Sequence, residues 1–399
     1  MAMRINEPHV AYPFVACHDD GTSRKETMYQ VERAIFDLRR GLPVVIHDDR
    51  EPSDAGVLVY PVESIVDAEL RETLELVGGE PALTVTRHRM AAMGFSIHAE
   101  AASLPLRRAD GLRAEALYLA TVASDGIGAG LFGDPRPAGT NERAALALMR
   151  RALLVPAAIT ARIDASRRTA LDSLVAEGRI LRVPARSAEH CFESGTGMLR
   201  RVSEADVPLF ESVRSRFILF REPDGLREHV AVAIGDPENW PDEVPVRLHS
   251  ACLTADLFGS LRCDCGEQLQ NGVRTILELG GGVLLYLAQE GRGIGLANKL
   301  RAYELQDTGL DTVDADQVLG FGEDERRYRV AVDILAALSI QRVNLLTNNP
   351  NKVQALAEGG IEVTARGSVY GRVTRQNRRY LEAKARRSGH LLGEVLDEQ

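Results

Sequence analysis

The sequence has few aromatic side chains and lacks a surplus of positive charge. Of the 399 residues only 5% are aromatic, and 48 basic side chains stand against 57 acidic ones, which gives a formal net charge of -9. General binding to nucleic acid relies on a surplus of basic residues over one face of a protein. The composition therefore argues against a nucleic-acid-binding protein.

A long apolar run and an export signal are missing too. The longest apolar tract, at 144–159, is broken by Arg150 and Arg151, and a membrane-spanning helix needs about 20 apolar residues. The first residues include an acid and a proline and lack the apolar core of a signal peptide. We therefore expect a soluble chain that resides in the cytoplasm and has no membrane partner.

The spacing of apolar residues predicts a mixed α/β (α+β) protein with two domains. Val31, Ile35 and Leu38 recur at helical intervals, whereas short apolar runs bounded by glycine or acidic turns are typical of strands. A stretch rich in glycine, serine and acidic residues, at 193–206, interrupts the alternation. We place the boundary there, with one domain at 1–205 and the other at 206–399.

In the second domain the pattern predicts several elements in detail. Strands are expected at 217–220, 229–234, 246–249, 283–287 and 342–347, and helices at 296–305 and 324–338.

Three of the five cysteines, Cys252, Cys263 and Cys265, lie close together in the sequence. In a reducing compartment such a cluster favours metal binding over disulfides, and soft thiolate ligands favour zinc. Three protein ligands leave a fourth position open for water, which is the arrangement of a catalytic zinc site. The alternatives are three buried free thiols, or a structural site completed by Cys17, Cys191 or a histidine.

Two turns that follow predicted strands are rich in glycine or asparagine. Segment 289–295 reads QEGRGIG and segment 347–352 reads TNNPNK, and each precedes a predicted helix. Ligands often bind at the carboxyl ends of strands in α/β sheets, and the start of a helix favours a phosphate. The spacing fits neither a dinucleotide-binding turn nor a P-loop. Taken singly, each segment is equally compatible with an ordinary turn.

Together these motifs resemble the GTP cyclohydrolase II family. The matching segments, in the family's order, are RLHSACLTAD at 247–256, LRCDCGEQL at 261–269, QEGRGIGL at 289–296, NKLRAY at 298–303, DER at 324–326 and LLTNNP at 345–350. The resemblance covers about residues 205 to 399. It implies a mixed sheet with flanking helices and a zinc site.

The resemblance also implies an activity, which is hydrolysis of the imidazole ring of GTP with release of formate and pyrophosphate. This reaction is the first step of riboflavin biosynthesis. The family implies Zn²⁺ on Cys252, Cys263 and Cys265, Mg²⁺ with the triphosphate, and a homodimer.

Further roles are implied for individual residues. Tyr303 would lie near the ring-opening step. The residue matching Arg326 would attack the α-phosphorus, and the residue matching Asp324 would take the proton. Because an arginine is almost always protonated, Arg326 is also a candidate clamp for charge on the phosphates.

By the same resemblance, a further set of residues would contact GTP. They are Arg247, Leu248, His249, Ser250, Ala251, Gln268, Glu290, Gly291, Arg292, Thr312, Thr347 and Lys352.

The chain departs from the family pattern at four positions. Ala251 stands where the family usually has glutamate, Ala255 replaces a glycine, Ala288 replaces an arginine and Asp316 replaces an asparagine. None of these changes removes a zinc ligand. They leave two alternatives open: a paralogue with a formylated product or a role in pyrimidine catabolism, and a non-catalytic GTP-binding regulator.

The first domain resembles a degenerate dihydroxybutanone phosphate synthase. The segments that carry this resemblance are RAIFDLRRG at 33–41, PVV at 43–45 and DDRE at 48–51. The synthase holds Mg²⁺ with an acidic cluster and histidines, but here Pro52, Ser53 and Ala55 interrupt the acidic loop. We therefore expect this domain to lack synthase activity and to serve in dimerisation, stability or regulation.

Overall fold

A computed structural model of the chain describes residues 21–396, apart from positions 52, 97, 108–112, 125–129, 193–198, 213, 390 and 392–395. Cys17 and Pro52 therefore lie outside the described residues. Within the described part of the chain, no helix has both the length and the apolar character needed to cross a membrane.

The N-terminal half is built on a seven-stranded sheet. Its strands are β1 (Val44–His47), β2 (Val57–Pro61), β3 (Gly78–Thr86), β4 (Ala101–Pro105), β5 (Arg136–Pro137), β6 (Ala157–Ile163) and β7 (Leu181–Pro184). Its helices are α1 (Gly21–Arg39), α2 (Asp67–Val77), α3 (Arg87–Ala92), α4 (Ala114–Val122), α5 (Thr140–Arg151), α6 (Arg168–Ala176) and α7 (Ala185–Glu189). The strand order is β5-β4-β3-β6-β2-β1-β7, and only the β1–β7 pair is parallel.

One core of this half lies between the sheet and α1, α5 and α7. The helix predicted from Val31, Ile35 and Leu38 is confirmed as α1, and these three side chains are buried with Leu148 of α5. Cys191 belongs to the same apolar cluster.

The C-terminal half contains a second seven-stranded sheet. Its strands are β8 (Arg200–Asp206), β9 (Ser215–Arg221), β10 (Glu228–Ile234), β11 (Val244–Ser250), β12 (Gly282–Leu287), β13 (Arg342–Leu346) and β14 (Glu362–Gly367). Its helices are α8 (Leu253–Asp256), α9 (Cys265–Glu278), α10 (Leu296–Asp307), α11 (Thr312–Val318), α12 (Arg329–Ala337), α13 (Pro350–Glu358) and α14 (Arg378–Ser388). The strand order is β14-β13-β11-β12-β10-β9-β8.

Half of the second sheet is parallel. The neighbours β14, β13, β11 and β12 run in the same direction, whereas β10, β9 and β8 are antiparallel to their neighbours. The carboxyl ends of β11, β12 and β13 therefore lie at one edge of the sheet, where α/β proteins usually bind ligands. The mixed α/β class and the strands predicted for this half are confirmed.

Two details differ from the sequence analysis. The segment in which we placed the domain boundary ends in β8, an edge strand whose seven residues are all exposed, and β8 crosses the expected boundary at 205. The helix expected from Asp324 begins only at Arg329. The Asp324 carboxylate accepts hydrogen bonds from the backbone N–H and the Nε of Arg326, at 3.0 and 2.8 Å. This local bonding gives the backbone a partner other than a helical carbonyl.

Buried polar contacts join α11 of the C-terminal half to the N-terminal half. The Arg89 side chain of α3 is almost fully buried, and its Nη1 donates to the carbonyl of Val318 at 2.7 Å. The Thr86 hydroxyl donates to the carbonyl of Gly320 at 2.6 Å. A cation at the carboxyl end of a helix is also stabilised by the negative end of the helix dipole.

A second set of contacts holds α10. Arg301 forms an ion pair with Glu63 at 2.7 Å and donates to the hydroxyl of Tyr118 at 3.0 Å. The Asn298 amide donates to the carbonyl of Leu153, also at 3.0 Å. The N-terminal half therefore supports the two helices, α10 and α11, that carry Tyr303 and Thr312.

Candidate active site

Three elements bring the cysteine thiols together at the edge of the second sheet. Cys252 follows β11, Cys263 lies in the loop after α8, and Cys265 is the first residue of α9. The Cys252 and Cys263 sulfurs are 3.7 Å apart, and all three sulfurs lie within 4.8 Å of one another. In a tetrahedral zinc site with Zn–S bonds of about 2.3 Å the sulfurs are about 3.8 Å apart. The cluster therefore fits a metal ion, and its soft donors fit zinc.

Of the fourth ligands considered from the sequence, Cys191 is excluded by its place in the core of the N-terminal half. Cys17 lies outside the described residues. The predicted convergence of Cys252, Cys263 and Cys265 is confirmed as geometry.

Neighbouring groups favour the thiolate form of Cys252. Hydrogen bonds from the thiols of Cys263 and Cys265 lower the pKa of Cys252, and the positive charge of Lys299 lowers it further. The Lys299 ammonium lies 3.1 Å from the Cys252 sulfur and 2.6 Å from a carboxylate oxygen of Glu290. Since the thiolate is the metal-binding form of cysteine, this environment prepares the cluster for an ion.

Asp256 of α8 fixes the backbone around Cys252. Its carboxylate accepts from the backbone N–H of Cys252 and from the hydroxyl of Tyr286, both at 2.9 Å. The Nε2 of His249 lies 3.2 Å from the same carboxylate, and burial lowers the pKa of His249. These contacts tie the end of β11 to β12, so that the first cysteine is held on the sheet.

The thiols open into a cavity of about 130 Å³. Most of the predicted site residues line it. They are Arg247, Leu248, His249, Ser250, Ala251, Cys252, Cys263, Cys265, Gln268, Glu290, Gly291, Arg292, Tyr303, Thr312, Arg326 and Lys352.

Two predicted residues do not line the cavity. Asp324 forms an ion pair with Arg326 at 2.5 Å. Thr347 is buried, and its hydroxyl accepts from the backbone N–H of Asn349 at 3.0 Å. Asp324 thus contacts the lining through Arg326, and Thr347 shapes the turn before α13.

Two buried cations of the cavity are bonded to uncharged oxygens. The Arg247 guanidinium donates to the amide oxygen of Gln268 at 3.0 Å and to the carbonyl of Leu346 at 3.2 Å. The Lys352 ammonium donates to the carbonyl of Leu248 at 2.6 Å. Burial lowers the pKa of Arg247 to about 10 and also lowers that of Lys352. Burying a charge without a counter-ion costs free energy, which an anionic ligand would offset.

Arg326 is a strongly held cation at the same wall. Burial opposes its charged form, but the neighbouring Tyr328 and Asp324 outweigh burial and raise the pKa of Arg326. A permanently protonated guanidinium binds phosphate oxygens well and has no free lone pair for nucleophilic attack.

Tyr303 projects from α10 between two cations. The Arg262 guanidinium lies 4.7 Å from the centre of its ring and the Lys299 ammonium 5.6 Å from it. Burial raises the pKa of Tyr303, so that the phenol is neutral and able to donate a hydrogen bond at neutral pH.

The loop after β12 approaches the cavity through a tight turn, Glu290–Gly293. Gly291 and Arg292 have left-handed backbone angles, with φ of 62° and 60°. At Gly293 a β-carbon would lie only 2.8 Å from the backbone of Glu325, so glycine is needed there. The carboxylate of Glu290 accepts from the backbone N–H of Leu253 at 2.7 Å, which joins this loop to the residue that follows Cys252.

Several lining residues were not predicted from the sequence. They are Arg262, Gln289, Ile294, Lys299, Ala302, Gln306, Asp316, Tyr380 and Lys384. Lys299 lies inside the NKLRAY segment, which was a usable signal. Tyr380 and Lys384 are four residues apart on α14 and so share one helix face, but nothing local indicates which face meets the cavity.

Known proteins that are similar to this chain belong to the family that the sequence motifs resemble. The family model described as GTP cyclohydrolase II matches residues 200–368. The GTP cyclohydrolase-2 of Azospirillum brasilense is 42% identical over 369 residues, which cover 91% of this chain and 94% of that protein. The GTP cyclohydrolase-2 of Pasteurella multocida (strain Pm70) is 46% identical over 194 residues, which cover 49% of this chain and 88% of that protein. This chain belongs to the GTP cyclohydrolase II family, as its motifs predicted.

The similarity to solved structures is weaker. A solved two-domain 3,4-dihydroxy-2-butanone 4-phosphate synthase from A. baumannii aligns with 17% identity and a TM-score of 0.32, covering 85% of this chain and 99% of that chain. The relation of residues 1–205 to the synthase stays a prediction.

Proposed function

We propose that this chain is a GTP cyclohydrolase II, which opens the imidazole ring of GTP and releases formate and pyrophosphate at the first step of riboflavin biosynthesis. The observation that carries the proposal is the convergence of three thiols and the cations Arg247, Arg326 and Lys352 on one cavity. A triphosphate needs compensating positive charge, and hydrolysis of a stable ring needs an activated water.

In this proposal Cys252, Cys263 and Cys265 hold one Zn²⁺. When bound, zinc supplies a Lewis acid that lowers the pKa of water towards neutrality. With only these three residues as ligands, the metal would be able to activate a water molecule for hydrolysis. Lys299 orients the Cys252 sulfur and, through Glu290, keeps the neighbouring loop against the metal site.

The buried cations bind the triphosphate, which enters with Mg²⁺. Arg247 and Lys352 are available for this role because they donate hydrogen bonds to uncharged amide and carbonyl oxygens. Arg292 and Gln268 line the same cavity and add donors for phosphate and base. The remaining predicted GTP contacts keep the roles that the family implies.

The protonation states favour particular roles for the catalytic residues. Tyr303, as a neutral phenol, donates a hydrogen bond during ring opening. Arg326 acts as a clamp that stabilises charge on the α-phosphate, because its pKa is raised and Asp324 holds it in place. Asp324 acts through Arg326.

We assign catalysis to residues 206–399 and a non-catalytic role to residues 1–205. The proposal includes a homodimer and a cytoplasmic location. Turnover of ribulose phosphate by the full chain would contradict the non-catalytic role.

The test is anaerobic incubation of the zinc-loaded protein with GTP and Mg²⁺. Formate and pyrophosphate are quantified, and the pyrimidine product is identified by mass spectrometry. We expect one formate and one pyrophosphate per GTP, with a deformylated diaminopyrimidine ribosylamine phosphate as the product.

Other outcomes point to the alternatives. A product that retains the formyl group would favour a truncated reaction, and the methyl group of Ala251 in the cavity, in place of the family's carboxylate, is the feature that would explain it. GTP binding without any turnover would favour a regulator and would refute the enzymatic proposal.

A further inference from the structure

Asp316 is a buried carboxylate in the wall of the cavity. It lies on α11 and its side chain is only 4% exposed. One of its oxygens lies 2.7 Å from Nη2 of Arg292. The carboxylate therefore neutralises a cation that is expected to contact GTP.

The backbone and the side chain of Arg292 are both held close to Asp316. Its backbone is left-handed, and its carbonyl accepts from the backbone N–H of Glu325 at 3.1 Å. Its side chain is 14% exposed, so the guanidinium is mostly shielded from water. A guanidinium bonded to a buried carboxylate must give up that bond before it can bind a phosphate with the same nitrogens.

We propose that Asp316 is a positioning residue that acts as an internal counter-ion of Arg292 and competes with the phosphates of GTP for its guanidinium. This inference rests on the proposed function and deepens its account of substrate recognition. An asparagine at the same position would fill the same volume and would leave the charge of Arg292 available to the substrate.

The charges around Asp316 make the competition depend on pH. Burial raises the pKa of Asp316 to about 7, Arg292 opposes this shift, and the carboxylates of Asp324 and Glu325 add to it. Asp324 is itself paired with Arg326. Below this pKa the Asp316 carboxyl is neutral and releases Arg292, whereas above it the carboxylate retains Arg292.

Other charged groups that meet α11 are bonded elsewhere on the helix. Arg89 of α3 donates to the carbonyl of Val318, at the carboxyl end. Arg387 of α14 pairs with Asp311 and Asp314, at 3.5 and 3.2 Å. Within the described residues these four side chains are bonded to groups other than the Asp316 carboxylate, so they contribute to the electrostatic field around it but do not compete for Arg292.

The test compares Asp316→Asn with the unaltered protein in steady-state kinetics at several pH values. We expect the substitution to lower KM for GTP about fivefold at about pH 8, where the carboxylate is charged, with kcat changed less than about twofold. At about pH 6 the two proteins should have nearly equal KM values, because Asp316 is then protonated. The matched control is Asp314→Asn, which makes the same change of charge at a half-buried position of α11, away from Arg292, and should leave KM unchanged at both pH values.

Equilibrium binding of GTP, measured by calorimetry on the same proteins, separates this inference from the proposed function. If the unaltered protein does not turn over GTP, the enzymatic proposal fails, but the dissociation constants still report the competition for Arg292. An Asp316→Asn protein that is folded by circular dichroism and has an unchanged or higher KM and Kd at about pH 8 would refute the inference. An equal decrease of both constants in Asp314→Asn would refute it as well.

Discussion

The two halves of this chain have seven-stranded sheets, but they use their buried polar groups in opposite ways. In the N-terminal sheet the hydroxyl of Thr84 is hydrogen-bonded to those of Ser103 and Thr160, each at 2.7 Å. In the C-terminal half, Arg247 and Lys352 are buried with neutral partners and face a cavity. Polar groups that satisfy one another stabilise a fold, whereas buried cations that have neutral partners and also line a cavity are prepared for an anionic ligand.

Strand direction explains where the ligand site forms. The parallel strands β11, β12 and β13 end at one edge of the C-terminal sheet and bring the residues that follow them together. The N-terminal sheet has a single parallel pair, β1–β7, at its border. Its contribution to the site is indirect and passes through the contacts to α10 and α11.

The largest effect should come from the metal cluster. Replacing Cys263 by serine removes a thiolate ligand, and we expect formate release to fall by about three orders of magnitude together with loss of bound zinc. Formate assays and elemental analysis measure the two quantities. The matched control is Cys191→Ala in the N-terminal core, which should keep both zinc and turnover; loss of zinc in the control alone would overturn the assignment of the ligands.

A smaller effect on activity should come from Lys352. In the Lys352→Met protein we expect KM for GTP to rise about 30-fold, because a buried cation that faces the phosphates is lost. The free energy of unfolding should fall by less than about 1 kcal/mol, since the substitution also removes a buried charge. Kinetics and urea denaturation test this pair of expectations. A large loss of stability with unchanged KM would make Lys352 a structural residue.

At the contacts between the two halves we expect a large effect on stability and a small effect on KM. Arg89→Met leaves the carbonyl of Val318 without its cationic partner, and we expect the free energy of unfolding to fall by about 1–3 kcal/mol. Because α11 carries Thr312, a modest increase of KM, about threefold, should accompany it. Arg87→Met, an exposed neighbour on α3, is the control. Equal stabilities of the two variants in urea denaturation would show that the buried contact makes no net contribution to the free energy of unfolding.

The smallest effect is expected at Glu63. The Glu63→Gln protein loses the ion pair with Arg301 but keeps an acceptor oxygen for it, and we expect a loss of about 1 kcal/mol in the free energy of unfolding. Turnover should change less than about twofold, because α10 is also held through Asn298. Thermal denaturation and kinetics check this, with exposed Glu69→Gln as the control. A strong fall in kcat would mean that the N-terminal half has a larger part in the reaction.

The convergence of the three cysteines was predictable because its signals are local. Cys252, Cys263 and Cys265 lie within a short segment, and the strand that precedes them has a clear apolar pattern. Lys384 was not predictable as a lining residue, since it lies on a distant helix and reaches the site by tertiary packing, where it pairs with Asp264 at 3.4 Å.

The errors in the fold have equally specific causes. Strand β8 has no buried face, so its composition resembles that of a linker. The segment before α12 has helix-forming residues. The Asp324 carboxylate accepts from the backbone N–H of Arg326, and this bond keeps the segment out of the helix. In both cases a tertiary or side-chain contact decided the structure against the local pattern.

The most direct test of the central claim is formate release as a function of zinc content. Metal-free protein would be prepared with a chelator, reconstituted with increasing Zn²⁺ and assayed with GTP and Mg²⁺ under anaerobic conditions. The account predicts that formate release rises in proportion to zinc and stops rising at one ion per chain. Undiminished formate release from the metal-free protein, or none at one zinc per chain, would contradict it.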